Sequence, residues 1–312
     1  MISVDRLTKT FGTVRAVDDL TFEVRPGAVT GFLGPNGAGK TTTLRMLLGL
    51  VAPTSGSATI DGRRYADLER PGRVVGAALE AASFHPGRTA LDHLRVFAPS
   101  MGVSDARCRE LLAMVGLADA ADRRVGGFSL GMRQRLALAT TLLGDPPVLI
   151  LDEPANGLDP GGIRWLRELL RFFAGEGRTV LVSSHVLSEV QQTVDDVVII
   201  AQGRLVHASP LAELAAMAVR HVEVVSPDAE ALRAVLDDRG WSYAPASREG
   251  VRGFDVSQVS AAEVGAAAFG ASVELHTLTQ REVELEDVFL SLTGQDGTPT
   301  SAGAPAAAEV AA

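Results

Sequence analysis

Residues 1–33 read as strands. Leu20, Phe22 and Val24 alternate with Thr21 and Glu23, the period of a strand buried on one face. Pro26-Gly27 marks a turn, and the apolar run at 29–33 reads as a buried strand. From Thr41 the spacing of Leu44, Leu47 and Leu48 turns helical. Residues from about 86 to 145 are mainly helical in pattern, through Leu91, Leu94, Val96 and Phe97, then Leu111, Leu112 and Val115, and on through 134–143. Residues 148–151 and 179–183 read as two more buried strands, separated by a helix carrying Trp165, Leu166, Leu169 and Leu170. Strand–helix alternation of this kind predicts an α/β core with a parallel sheet.

Beyond about residue 216 the pattern changes. A strand at 221–225, a helix at 229–238, short strands at Tyr243 and at 254–256, a helix at 261–269 and a strand at 273–278 follow in order. That β-α-β-β-α-β succession is the split βαβ of ferredoxin-like modules. Residues 285–292 predict a closing helix. The tail at 295–312, rich in Ala, Gly, Pro and Thr, is expected to be disordered. The expected division is therefore a main domain over 1–215, with its helical part at about 86–145, and an accessory α+β domain over 216–294.

Composition narrows the function classes. The 312 residues are 46% hydrophobic, enough for a sizeable core, and the formal net charge is −9. An acidic chain has no global electrostatic reason to seek nucleic acid or an anionic membrane surface. The single cysteine, Cys108, excludes an intrachain disulfide and sits in a polar helical stretch, which fits a passive thiol. Runs such as 148–151 and 197–201 are strand-sized, well short of the roughly 20 residues of a membrane span. Met1-Ile2-Ser3-Val4-Asp5-Arg6 contains no apolar core of signal-peptide length, so a soluble chain is expected. His85, His93, His207, His221 and His276 show no metal-ligand spacing, and Trp165 and Trp241 read as packing groups.

The chemistry begins at Gly34-Pro35-Asn36-Gly37-Ala38-Gly39-Lys40-Thr41, a match to G-x-x-x-x-G-K-[ST] between an expected strand and an expected helix. Glycines let successive backbone N–H groups turn inward towards phosphate oxygens, and the positive end of the next helix faces the same charge. Lys40 can reach the β- and γ-phosphates of ATP and the Thr41 hydroxyl can bind Mg²⁺, with Thr42 continuing the loop into the helix. A triphosphate also needs a second carboxylate and a water-activating group. Asp152 and Glu153, at the end of the apolar strand 148–151, offer both. Asp152 would hold Mg²⁺ directly or through water, and Glu153 would serve as general base or water-orienting residue. Taken alone, an acidic turn after a strand is common; after a phosphate loop it is a specific signal.

Further segments in the same order give the chain a resemblance to ABC-transporter ATPase subunits, covering roughly residues 1–215. Phe128-Ser129-Leu130-Gly131-Met132-Arg133-Gln134-Arg135 resembles the LSGGQ signature with its RQR extension. Asn156-Gly157-Leu158-Asp159 is similar to the D-loop, and Ser183-Ser184-His185 to the segment bearing the switch histidine. Phe11 occupies the place of the aromatic that stacks on adenine, although any Phe near a strand end can also be a core residue. His185 in this position implies contact with the γ-phosphate or the attacking water; its plain alternative is a satisfied histidine at a strand–helix junction. Ser129 and Gly131 open a helix, so a simple N-cap accounts for them as well. The resemblance implies a P-loop NTPase core of ABC type: a RecA-like sheet, an antiparallel β subdomain and a helical subdomain, with a small α+β C-terminal module. It also implies a head-to-tail homodimer around two ATP molecules, because the signature of one subunit, with Asp159, closes on the phosphate loop of the other.

The pattern departs in two places. Leu130 and Met132 stand where the family usually has Gly and Gln. Glu80 stands near the position of a glutamine that ligates Mg²⁺ or its water, adding negative charge beside a triphosphate. These features, with Leu285-Glu286-Asp287-Val288-Phe289-Leu290-Ser291-Leu292-Thr293-Gly294, resemble the bacitracin- and daunorubicin-resistance type of exporter ATPase. That type implies efflux of a drug, peptide or lipid-like substrate through a separately encoded permease, with the chain held peripherally at the cytoplasmic face of the membrane. About 81–100 is the expected permease contact. A soluble ABC ATPase acting on ribosomes or DNA is the alternative from another class, but this chain has neither a second nucleotide module with a basic linker nor a coiled-coil or zinc insertion. A non-hydrolysing regulatory module is a third, against which Glu153 and His185 stand.

Overall fold

Strands β1 (Ile2–Phe11) and β2 (Val14–Val24) pair antiparallel in the computed structural model, which describes residues 1–79, 84–217, 221–248, 251–281 and 285–294. The alternation from Leu20 to Val24 resolves as buried apolar and exposed polar side chains. The chain continues through β3 (Ala28–Leu33), α1 (Lys40–Leu47), β4 (Ser55–Ile60), α2 (Pro71–Val74) and β5 (Val75–Ala78). Strand β4 joins β1 on its free side, completing a three-stranded antiparallel sheet.

Three helices follow: α3 (Ala90–Met101), α4 (Asp105–Met114) and α5 (Leu130–Thr141). Thr89, Ser104 and Ser129 cap their N-termini, each hydroxyl accepting a backbone N–H that the first turn leaves unpaired. Leu91, Leu94, Leu111 and Leu112 are buried as their spacing predicts, whereas Val96 and Phe97 are 51% and 37% exposed. These two complete the helical pattern of α3 without joining its core face.

The second half of the core alternates β6 (Val148–Asp152), α6 (Pro160–Gly175), β7 (Thr179–Ser184), the single turn α7 (Leu187–Val190), β8 (Asp196–Ala201), β9 (Arg204–Pro210) and α8 (Leu211–Ala216). The main sheet has the order β5-β6-β7-β3-β8-β9 and is parallel except for β9. Its strands β3, β6, β7 and β8 are buried along nearly their whole length, as parallel strands covered by further layers must be. Along β6, Leu149 and Leu151 enter the core against the helices, while Val148 and Ile150 enter the core against the antiparallel sheet and α1. Each such side chain contributes about 1.5–3 kcal/mol by leaving water. The sheet thereby becomes a rigid floor from which the loops after β3, β6 and β7 emerge at one edge.

The remaining strands, β10 (His221–Val225), β11 (Tyr243–Arg248), β12 (Val251–Ser257) and β13 (Thr277–Arg281), form a separate antiparallel sheet in the order β11-β12-β10-β13. Helices α9 (Ala229–Asp238) and α10 (Ala261–Gly270) lie between them in chain order, giving the split βαβ succession. Val222, Val224, Leu232, Leu236, Phe254 and Val256 build a core of its own. The strand expected at 273–278 is displaced to 277–281. Val273 and Leu275 do pack against this core, but only the more polar stretch that follows pairs with β10. The last helix, α11 (Leu285–Thr293), leaves this module and packs against α7, α8, β8 and β9. The tail at 295–312 lies outside the described residues. No described helix is long and apolar enough to cross a membrane.

Candidate nucleotide site

The loop between β3 and α1 is shaped by glycines that no other residue can replace without displacement. Gly39 has φ +103° and an added Cβ would stand 2.5 Å from the Ala16 carbonyl oxygen. At Gly34 it would stand 2.3 Å from the Ile200 carbonyl oxygen. The loop is thus pressed against β2 and the end of β8 on one side and open on the other, which is the geometry that lets backbone approach a phosphate. The open side is a cavity of ≈ 250 Å³ lined by Asn36, Gly37, Gly39, Lys40, Thr41, Thr42 and Glu153, with Ala16, Pro35 and Ala38.

Lys40 is only 7% exposed. Its ammonium donates to the carbonyl of Gly34 at 2.6 Å and that of Pro35 at 3.3 Å, and lies 3.7 Å from Glu153 Oε1. Burial pulls its pKa below the ordinary lysine value, opposed by the charges of Glu153 and Asp152. A buried cation held mainly by neutral carbonyls, with one carboxylate nearby, is prepared for an anionic ligand.

Asp152, at the last position of β6, receives two hydroxyls. Thr41 Oγ1 donates to its Oδ2 at 2.8 Å, and Ser183 donates to its Oδ1. A hydroxyl and a carboxylate side by side at the mouth of a phosphate loop are the hard oxygen donors that suit Mg²⁺. Glu153 takes a left-handed backbone with φ +49°, a conformation costing on the order of 1 kcal/mol in a non-glycine residue. Three contacts hold it there. Its N–H donates to Ser183 Oγ at 3.0 Å, its carbonyl accepts from Gln134 Nε2 at 3.1 Å, and its Oε2 lies 3.0 Å from His185 Nδ1.

Lys40, Thr41, Asp152, Glu153 and His185 are therefore brought together. Phe11, Ser129, Gly131 and Asp159 do not line the cavity. Phe11 is 49% exposed, with the Lys9 ammonium 4.9 Å from its ring centre, so it is not a core aromatic. Ser129 caps α5 by accepting from Met132 N–H at 3.2 Å, and Asp159 caps α6 by accepting from Gly162 N–H at 2.8 Å. A Cβ on Gly131 would lie 3.1 Å from the Gly157 carbonyl oxygen, so α5 and the loop before α6 touch. Glu80 lies outside the described residues.

Two residues inside the quoted segments take roles that the sequence patterns do not assign. Ser183 bridges Asp152 and Glu153, and Gln134 fixes the Glu153 carbonyl. The signal for Ser183 is its register: β6 and β7 pair Asp152 with Ser183, a relation that needs the sheet order. Away from this site, Cys108 is fully buried with its thiol pKa pushed up by burial, which makes it unreactive. Among the described residues, no three or more His, Cys, Asp or Glu side chains gather as a metal cluster.

A doubly covered sheet with a phosphate loop after β3 and a carboxylate pair after β6 defines a P-loop NTPase. Comparison with known proteins narrows the class. The family model described as ABC transporter matches residues 17–156, and one described as a domain of unknown function matches residues 220–286. The chain is 44% identical over 217 residues to the bacitracin transport ATP-binding protein BcrA of Bacillus licheniformis, covering 69% of this chain and 71% of that one. It is 38% identical over 304 residues to the Nod factor export ATP-binding protein I of Paraburkholderia xenovorans, covering 95% and 97%. A solved ATP-binding subunit of an ABC transporter superposes with a TM-score of 0.63 at 30% identity, over 70% of this chain and 92% of that one. The chain belongs to the ABC transporter family and is an ATPase of that family.

Proposed function

We propose that this chain is the ATP-hydrolysing subunit of an exporter, driving efflux of a drug, peptide or lipid-like substrate through a separate integral-membrane permease at the cytoplasmic face of the membrane. The observation that carries the catalytic part is the convergence of Lys40, Thr41, Asp152, Glu153 and His185 at one edge of the parallel sheet. Lys40 and the loop from Gly34 to Thr42, including Asn36, Gly37 and Gly39, bind the phosphates. Thr41 and Asp152, with Glu80 as a further candidate, would hold Mg²⁺, which would supply positive charge to offset that of the triphosphate. Glu153 orients or deprotonates the attacking water. The imidazole of His185 holds the carboxylate in place and serves the γ-phosphate or the attacking water. Phe11 stacks on adenine.

Ser129, Gly131 and Asp159 serve the second nucleotide site. Standing outside the cavity of their own chain, they are available to a partner subunit, and a helix N-terminus presents dipole and N–H groups to phosphate. Two copies head to tail then enclose two ATP molecules, and closure transmits force to the permease. Transport is supported by the similarity to the bacitracin transport ATP-binding protein, and export by that to the Nod factor export ATP-binding protein I.

The direct test of the catalytic assignment is Glu153→Gln, which keeps the shape and removes the charge. ATP affinity is expected to stay within about twofold while turnover falls at least about 100-fold, the scale of a lost general base. Hydrolysis at the parental rate removes Glu153 from this role.

A further inference from the structure

The last helix of the chain does not cover the sheet that precedes it. α11 returns to the nucleotide-binding core and packs against α7, α8, β8 and β9. Val288 and Phe289 are 8% and 3% exposed, and share an apolar cluster with Leu187 and Val190 of α7. α7 is four residues long, beginning two positions after His185. A single turn has too few internal hydrogen bonds to hold its own place, so its position is set by what packs on it. The link back to the site is short. Ser184 Oγ contacts both the N–H and the carbonyl of Val186 at 3.1 Å, and His185 reaches Glu153 from between them.

We propose that Phe289, with Val288, is a positioning residue for His185: through α11 and α7 it sets where the imidazole stands against Glu153. The module occupies residues 221–281, and the helices on either side of it, α8 and α11, touch each other. Coupling of this kind changes turnover while leaving the phosphate loop untouched, because none of the loop residues belongs to α11 or α7. The inference rests on the role assigned to His185 above.

The test is a double-mutant cycle on the full-length chain, reading kcat and KM for ATP in the parent, Phe289→Ala, His185→Ala and the double variant. Phe289→Ala is expected to lower kcat about tenfold with KM changed less than about twofold, since a small misplacement of a catalytic contact acts on the chemical step. Phe289→Leu, which refills most of the space, should recover most of the rate. In the His185→Ala background, Phe289→Ala should cost nothing further. Equal losses in both backgrounds would mean general loosening and would overturn the proposal, as would a parental kcat in Phe289→Ala when His185→Ala is impaired. A parental kcat in His185→Ala would instead remove the underlying assignment, and the proposal with it. Val288→Ala, a smaller cut in the same contact, runs through the same cycle if Phe289→Ala does not fold.

Discussion

At the scale of single residues, the site depends on groups held in states they would not choose in water. Lys40 is buried against the carbonyls of Gly34 and Pro35. Lys40→Ala is expected to weaken ATP binding by at least about tenfold, the scale of one charge-assisted contact. Nucleotide titration by fluorescence checks it, and unchanged affinity would refute the loop assignment. His93 offers a second case, unrelated to catalysis. It lies edge-on to Phe84 and Phe97 at 4.8 and 5.2 Å, and burial, aided by the charge of Arg88, pulls its pKa to about 4. The unfolded chain takes up this proton near the ordinary histidine value of about 6.5, so between those values the unfolded state binds more protons and stability rises with pH. The contribution is complete above about pH 6.5 and is lost as pH falls through about 4, to a depth on the order of 3 kcal/mol. Urea unfolding at about pH 7 and about pH 4.5 should show a smaller acid loss in His93→Leu than in the parent; equal losses would contradict it. Sequence patterns expose Lys40, Asp152 and Glu153 because motif spacing encodes them. Ser183 and Gln134 stay hidden because their roles follow from strand register and helix placement, which no local spacing records.

At the scale of elements, periodicity was most legible where burial is one-sided or complete. β2 alternates, β6 and β7 are continuous apolar runs, and α9 spans the helix expected at 229–238. It misleads at β13, where the apolar alternation of Val273 and Leu275 reflects packing against the module core, while pairing with β10 begins only at Thr277. The departure from the family pattern at Leu130 also gains a physical meaning here. Leu130 is 54% exposed yet lies over Gly157, whose φ is +77° and whose added Cβ would stand 2.3 Å from Leu130 Cδ2. The first turn of α5 and the loop leading to α6 are thus in contact through a leucine and a glycine. Gly157→Ala should displace Leu130 and cost about 1–2 kcal/mol in the left-handed backbone alone. Thermal unfolding of Gly157→Ala, Leu130→Gly and the double variant checks the contact: relief of part of the loss in the double variant is expected, and strict additivity would mean the two do not touch.

At the scale of the whole molecule, the loop from Gly34 to Thr41 and the N-terminus of α5 do not share one cavity. Ser129 and Gly131 do not line the cavity that Lys40, Thr41 and Glu153 share. The C-terminal sheet adds a separate core, tied back by α11 to the same layer that carries α7. The order β-α-β-β-α-β of that module was visible in the sequence, whereas the destination of α11 was not, because an amphipathic helix declares that it has a partner face without naming the partner. Completion of one site by two chains can be read by sedimentation velocity on Glu153→Gln with Mg²⁺ and ATP, since loss of turnover is expected to leave nucleotide bound. A shift from monomer to dimer with ATP, reversed with ADP, is expected; a monomer in the presence of bound ATP would refute the shared site.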